Sequence, residues 1–514
     1  MEHAVIPRNK LEKTYKRFFE ILPGALTWSA LLFPVFASRF LPEVVAILVI
    51  TFDLYWFVRS LYFTVNILKA YFFISRDQKK NWKKLLAELP EERNHRKIPQ
   101  EMLLHAVVLV FYKEPLEILR SSIASYAQSN LNTKKQLIII LGGEERAGDH
   151  PYEVFKTLEK EFVGRFFKFI LSIHPKNLPG EIKCKSANAT YAAKTLQKLL
   201  DELKIDYRRV LIHNFDADTR VHPEYFNCVA YKYLTSNPSL AVSFQPVHVY
   251  SNNIWDTPAI MRIVATSSTF TFMFNSLRPH RFRNFSSRSD VFQTLVDIGF
   301  YAVDAIPEDS RQYIDMFFYY KARIKIEPIF IPLRMDAVLA ETYLKTLINQ
   351  YRQLRRWAWG ASDIAEFALR ALQDKEISFR LKFWELFRLI EGHFSWAVAA
   401  IYITIIGWLP FLLSPNFNQT VIGYNLPKIT KIMLSLASIG LGVVIILSLL
   451  LYQPKPKHKP AYFYLLLITQ WLLTPIVSVF FSSMAAIDAQ TRLLLAKYLE
   501  YQVTEKKAVS ERNA

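Results

Sequence analysis

The chain has 514 residues, 51% of them hydrophobic, with 39 Phe, 26 Tyr and 10 Trp, a balance that points to a folded polar part joined to membrane helices. Its formal charge of +19 comes without zinc-ligand spacing, an RNA-binding signature or a basic heptad pattern, which excludes nucleic acid as a partner; topology and an anionic substrate explain the excess better. Cys184 and Cys228 stand far apart and beside no second thiol, so neither a disulfide framework nor a cysteine metal site is expected, and a reduced cytoplasmic compartment fits.

A bilayer needs about 20 apolar residues per helix. The basic run RNKLEKTYKR is followed by two such stretches, 21 to 40 and 43 to 65. The first begins too far in, and the second follows too closely, for a cleaved signal peptide. Residues 21 to 65 therefore read as a retained helical hairpin with the tight turn SRFLPE. Positive charge resumes in RDQKKNWKK, and the positive-inside bias puts both basic flanks, and with them the polar region 76 to 390, in the cytoplasm. Asp53 lies inside the second stretch. An acid there is costly; it either lines a polar passage or pairs with a neighbouring helix.

Short apolar runs then recur: HAVVLVF (105 to 111), QLIIIL (136 to 141), FKFILSI (167 to 173), RVLIHNF (209 to 215) and AVSF (241 to 244). Between them lie helically spaced stretches such as PLEILRSSIASYAQ, PYEVFKTLEKEF and SANATYAAKTLQKLLDEL. Strand, helix, strand repetition predicts a parallel sheet with helices on both faces and ligands at the carboxyl ends of the strands.

Asp216 and Asp218, in HNFDADTR, fall at such an end, before HPEYF, which opens a helix with Pro223 in its first turn. Two acids one residue apart can hold a hard divalent cation through oxygen; they also suit a plain surface turn. His213 and His222 flank them and are expected to be structural, a hydrogen-bonded core residue and a helix-start residue. In PEDSRQY, Glu308 and Asp309 offer a general base or an N-cap with early helix charge. Gln353, Arg356 and Trp357 stand in QYRQLRRWAWG, where Arg forks suit phosphate and Trp suits a sugar face or simply the membrane interface.

Three further apolar stretches follow, 393 to 414, 431 to 452 and 461 to 484, the last preceded by the basic KPKHKP. Five crossings put the tail TRLLLAKYLEYQVTEKK outside although it is basic. Either one segment is re-entrant or the tail overrides the bias.

Asp216-x-Asp218, Glu308-Asp309 and Gln353-x-x-Arg356-Trp357, in this order on one polar region flanked by apolar helices, resemble the membrane-integrated family 2 glycosyltransferases, the group of cellulose synthase catalytic subunits, hyaluronan synthases and chitin synthases. The resemblance covers roughly residues 103 to 360. VFYKEPLEILRSSIAS is similar to that family's opening strand and helix, with Tyr112, Glu114 and Pro115 on its Tyr-Asn-Glu-Pro run. KSANATYAA resembles the Lys-Ala-Gly-Asn segment, and NFSSRSDVFQTLVDIGF stands where the family has Phe-Cys-Gly-Ser. The family's Asp-Asp-Gly after its second strand is replaced by LGGEER, with Gly142 and Gly143 in the acid positions and Glu144 next. Either Glu144 takes over the base contact, or the donor carries a different nucleotide or a lipid phosphate.

The resemblance implies a GT-A type, Rossmann-like α/β domain over 76 to 375, with an interfacial helix near 341 to 372, set between a basic segment and helical hairpin (1 to 75) and a C-terminal membrane region and tail (376 to 514). It implies an inverting transferase moving a sugar from a nucleoside diphosphate sugar, a UDP-sugar first, to a growing polysaccharide. Asp218, with Asp216, would hold Mg²⁺ or Mn²⁺; Asp216, Lys185, Asn188, Glu144, Tyr112 and Glu114 would meet the donor. Asp309, beside Glu308, would be the base, and Gln353, Arg356 and Trp357 would meet the acceptor and the diphosphate. A multi-pass plasma-membrane location, contact with the bilayer and accessory export subunits follow from the same likeness. Two alternatives stand: a single-addition transferase acting on a lipid carrier or glycolipid, and a non-catalytic membrane transporter or scaffold.

Overall fold

All five apolar runs form strands in the computed structural model, which describes residues 6–457 and 459–500. They are β1 (Leu104–Val110), β2 (Leu137–Glu144), β3 (Lys168–His174), β4 (Val210–Asp216) and β5 (Ala241–Tyr250). Two more complete the sheet, β6 (Arg288–Val291) and β7 (Ile324–Met335), in the order β3-β2-β1-β4-β6-β5-β7. The expected wholly parallel sheet is corrected here: β6 runs antiparallel to both β4 and β5 and separates two parallel groups.

Helices cover both faces. Val107 and Leu109 of β1 pack with helices Leu116–Ala127 and Tyr225–Leu234, whereas Ala106, Val108 and Val110 pack with helix Lys185–Glu202. Both sides of the strand are thus dry, which is why β1 reads as an uninterrupted apolar run and not as an alternating one. The helix expected to open at HPEYF begins two residues after Pro223, at Tyr225, because His222 to Glu224 form a turn in which the Tyr225 amide donates to the His222 carbonyl at 2.9 Å.

Among the described residues five helices are long and apolar enough to cross a membrane: Lys10–Phe40, Pro42–Gln78, Phe379–Thr404, Val421–Leu451 and Phe463–Leu494. The third was expected over 393 to 414. It stops at Thr404 and gives way to a 3₁₀ turn, Ile406–Trp408, before Leu409–Leu413, since Pro410 offers no N–H and crowds the carbonyl four residues back. The fifth runs ten residues past its expected end and contains a π-helical turn, Ser478–Ser483. Residues 501–507 of the basic tail lie outside the described residues.

Small residues let these helices approach closely. A Cβ on Gly24 would lie 2.8 Å from the Gln490 carbonyl oxygen, so only glycine permits the approach of the first helix to the last. Thr27 Oγ1 donates to Gln490 Oε1 across the same seam at 2.7 Å. Asp53 is buried, with Thr430 of the facing helix as a hydrogen-bonding neighbour, which is the helix-pairing alternative and not a polar passage.

Helix Glu308–Tyr319 is fastened to helix Asp363–Gln373 by buried ion pairs: Arg311 with Asp363 at 3.1 Å and Glu366 at 3.5 Å, and Arg370 with Asp315 at 2.6 Å. Removing one partner strands the others without water, which typically costs about 3–5 kcal/mol. Arg311→Met is therefore expected to lower the thermal unfolding midpoint well beyond the effect of the exposed Arg208→Met, as read by tryptophan fluorescence; equal midpoints would contradict the network's role.

Candidate functional site

The carboxyl end of β4 delivers Asp216, and the turn after it delivers Asp218. Lys185, first residue of helix Lys185–Glu202, brings its Nζ to 2.5 Å from Asp216 Oδ1 and 3.0 Å from Ser286 Oγ. Ser286 Oγ in turn donates to Asp216 Oδ2 at 2.6 Å, and the Asp216 amide donates to Ser287 Oγ at 3.0 Å. Asp218 is buried, and its Oδ2 accepts the Asp336 amide at 2.9 Å.

Glu308 and Asp309 open helix Glu308–Tyr319, the one before β7. The expectation that Asp309 caps this helix is corrected, since Pro307 holds the cap position and Asp309 lies inside the first turn. Its side chain instead turns to Arg288 of β6, whose guanidinium donates to Asp309 Oδ1 and Gln312 Oε1. Arg288 is wholly buried, and Asp290 lies 3.5 Å from it. Burial and then the neighbouring Asp309 push Glu308 up to about 8, as expected where two carboxyls share one dry site.

These groups form one constellation. Burial opposes the charge of Lys185, but Asp216, Glu308 and Asp309 outweigh it and raise its pKa. The Tyr250 phenol, at the end of β5, is pushed up by burial and then by Asp216, Asp218 and Asp309 together, so the acids of two distant segments surround one side chain. His213 is a core residue: it is hydrogen-bonded to His105 at 2.9 Å and to Ser289 at 2.6 Å, and burial drives both imidazoles to the neutral form. His222 accepts the Glu224 amide at 3.2 Å.

At the end of β2, space decides the residues. A Cβ on Gly142 would lie 2.9 Å from both Asn188 Oδ1 and Val110 Cγ1, and one on Gly143 would lie 2.5 Å from Pro151 Cβ. Acids at these two positions would displace the packing. Asn188 is buried and braces this corner by donating to the Gly142 carbonyl at 2.8 Å. Glu144 pairs with Arg146, whose guanidinium lies 4.7 Å from the Tyr112 ring centre. The Tyr112 amide donates to Glu114 Oε2 at 2.6 Å. Tyr112 and Arg146 thus offer a flat stacking surface beside the strand ends.

Gln353, Arg356 and Trp357 lie on helix Tyr343–Ala358. Gln350 Nε2 donates to Gln353 Oε1 at 3.2 Å, Trp357 is exposed, and the neighbouring Arg355 ties the helix to Asp488 of the last apolar helix at 2.9 Å. Arg288, Ser286, Ser287, Tyr250 and Arg146 were missed from sequence. For Ser286, Ser287 and Arg288 the signal was the segment NFSSRSDVFQTLVDIGF, which carried a family likeness but no residue roles; Tyr250 and Arg146 had none.

Among the described residues no group of three or more His, Cys, Asp or Glu side chains is placed to hold a metal. Asp216 and Asp218 still fit Mg²⁺ or Mn²⁺ by chemistry, because such ions take one or two carboxylates and complete their shell with water and substrate phosphate.

No protein-family model matches the chain, and a search of curated proteins finds no match. Among solved structures it is similar to the mannosyltransferase PcManGT from Pyrobaculum calidifontis, in complex with GDP-Man and Mn²⁺, at 13% identity over 89% of this chain and 99% of that one, with a TM-score of 0.42. It is also similar to S. aureus TarS 1-349 in complex with UDP-GlcNAc, at 10% identity over 80% and 98% of the two chains, with a TM-score of 0.37. Likeness this loose says nothing of substrate.

Because Glu308 holds its proton at about 8 in the folded chain against an ordinary 4.5, the folded state binds that proton more tightly than the unfolded one. Its contribution to stability is full below 4.5 and is lost as pH climbs to about 8. In protein without donor, the unfolding midpoint of the wild type is expected to fall across this window relative to Glu308→Gln. Parallel pH profiles for the two proteins would refute the assignment.

Proposed function

We propose that the chain is an inverting membrane glycosyltransferase of GT-A type, whose 76–375 region takes a nucleoside diphosphate sugar across the strand ends while 1–75 and 376–514 anchor it in the plasma membrane with this region in the cytoplasm. The observation that carries the reading is that Lys185 bonds Asp216 at 2.5 Å while Asp216, Asp218 and Asp309, from two distant segments, all act on Tyr250. It joins a phosphate-binding cation, carboxylates suited to a hard metal and a separate carboxylate at the ends of parallel strands, where ligands of such sheets collect.

Lys185 would meet the diphosphate, exchanging its bond to Asp216 for one to phosphate oxygen, with Arg356 adding charge. Mg²⁺ or Mn²⁺ held by Asp218 and Asp216 would supply Lewis-acid stabilisation of the leaving diphosphate. Asp309 takes the proton from the acceptor hydroxyl as that oxygen attacks the anomeric carbon opposite the diphosphate, and one displacement inverts the configuration. Arg288 fixes the direction in which Asp309 points, and Glu308, protonated beside it, adds no competing negative charge. Tyr112 with Arg146 is the stacking surface for the nucleobase, and the tight Gly142–Gly143 corner explains why base recognition lacks the usual acids. UDP is the first nucleotide to test. Gln353 and Trp357 face the acceptor, a growing polysaccharide in the leading reading. Five apolar helices leave little room for a wide channel, which favours the second reading, addition of one sugar to a lipid-linked acceptor.

Membranes bearing the protein are expected to turn over a nucleotide sugar in a metal-dependent manner. Asp309→Asn should reduce transfer by about 10²- to 10⁴-fold, the usual weight of a general base, while donor binding survives. Asp218→Ala should weaken metal-dependent donor binding. Wild-type transfer rates in both variants would reject the proposal in favour of a transporter or scaffold, and long products from one donor would exclude single addition.

A further inference from the structure

A cleft of about 370 Å³ opens where helix Pro42–Gln78 meets the segment after helix Ala259–Ser276 and the start of helix Phe379–Thr404. Five arginines line it, Arg59, Arg278, Arg281, Arg283 and Arg388. Two carboxylates serve them. Glu391 takes Arg59 at 2.8 Å and Arg281 at 2.6 Å, and Glu385 takes Arg283 and, at 2.7 Å, Arg388. Arg278 is left over. It is 9% exposed, its Nε has no hydrogen-bond partner, and among the described residues no carboxylate stands within ion-pair distance. Its guanidinium rests on the Phe274 ring at 4.4 Å. Burial, with Arg281 and Arg59 nearby, pulls its pKa down to about 10, and the charge of Glu391, which the other arginines hold, offsets only part of this, as expected of a cation without a direct ion pair.

The cleft continues into a lobe of about 550 Å³ that shares Arg59, Arg278 and Arg281 and is walled by Leu54, Val58 and Tyr62. These three residues recur every fourth position, so they form one stripe along the helix, and all three are exposed. From Pro42 to Arg59 the helix rises about 25 Å at about 1.5 Å per residue, against a hydrocarbon core of about 30 Å. Arg59 therefore stands near the headgroup level of one leaflet; from it Val58 and Leu54 run back into the bilayer, and Tyr62 lies about one turn further out.

We propose that this cleft seats one anionic membrane phospholipid, its phosphate received by Arg278, Arg281 and Arg59 beside Tyr62 and an acyl chain lying along Val58 and Leu54. An apolar tail groove joined to a cationic head pocket fits a lipid better than a free anion. The phosphate supplies the charge that the chain withholds from Arg278. The site is separate from the strand-end acids and independent of any sugar transfer.

The full chain in phosphatidylcholine nanodiscs, with and without phosphatidylglycerol, tests this by its thermal unfolding midpoint and by native mass spectrometry of retained lipid. Phosphatidylglycerol is expected to raise the midpoint of the wild type and of the surface control Lys79→Met. Arg278→Met should lose that rise and retain the lipid about tenfold less well, the weight of one charge-assisted contact. In phosphatidylcholine alone Arg278→Met should unfold no earlier than the wild type, because it removes an uncompensated buried charge; a purely structural arginine would give the opposite. Val58→Asp, which leaves the arginines in place, should also reduce retention. An equal rise in Arg278→Met and wild type would overturn the proposal, and so would inorganic phosphate alone reproducing the whole rise.

Discussion

The buried guanidinium of Arg288 is the constraint around which the strand-end region is organised. A cation with no exposed surface must be answered by anions or carbonyls from several directions, and here the answers come from Asp309, Gln312, Asp290 and the Phe285 carbonyl at 3.2 Å. Those partners belong to helix Glu308–Tyr319, to β6 itself and to the loop before it. Satisfying one side chain thus fixes the place of Asp309 relative to the strand that pairs with β4. Arg suits this task better than Lys, because its planar fork reaches several acceptors at once.

The same four-residue strand ties the other side. Ser289 bonds His213 at 2.6 Å and the Tyr225 hydroxyl at 2.8 Å, and Ser287, just before it, receives the Asp216 amide. The β6 segment is a polar crossbar between the β4 acids and Asp309. Its cost is a set of buried polar groups that contribute little net stability. What they contribute is position. Four carboxyls, the buried Asp218 and Glu308 and the partly exposed Asp216 and Asp309, lie in one region with Lys185 and Arg288 as fixed counter-charges. Glu308 responds by keeping its proton, which leaves the remaining charges closer to balance.

How much of this was legible in the sequence follows from the same physics. Strands β1 to β5 could be read because burial on both faces demands continuous apolar runs, and the membrane-length helices because length and composition alone define them. The β6 strand could not, since RSDV is polar and its burial is licensed mainly by partners distant in sequence, Asp309 and Gln312 for Arg288 and His213 and Tyr225 for Ser289. The β7 strand carries Pro328 and Pro332, which argue against a central strand; it lies at the end of the sheet order, where a missing N–H is tolerated. Of the site, Asp216, Asp218 and Asp309 were visible as acids at element ends, and the ordered motif trio brought them together. Arg288, Ser286 and Tyr250 were not, because nothing local distinguishes a buried polar brace from a loop.

The β7 edge also explains how the sheet meets the membrane helices. An exposed edge strand invites pairing with another chain, and this one is covered: Phe330 packs against Phe73 at 5.1 Å between ring centres, in a cluster with Ile67, Ala70 and Ile74. Those residues belong to the second apolar helix, whose 37 residues extend about 55 Å at about 1.5 Å per residue, far more than a hydrocarbon core of about 30 Å requires. The excess length is the part that shields β7. One unbroken helix is thus long and apolar enough to cross a membrane at one end and covers the sheet at the other, so no linker separates the two parts. The segment from Leu277 to Ser287 connects the arginine cleft to the serines that hold Asp216.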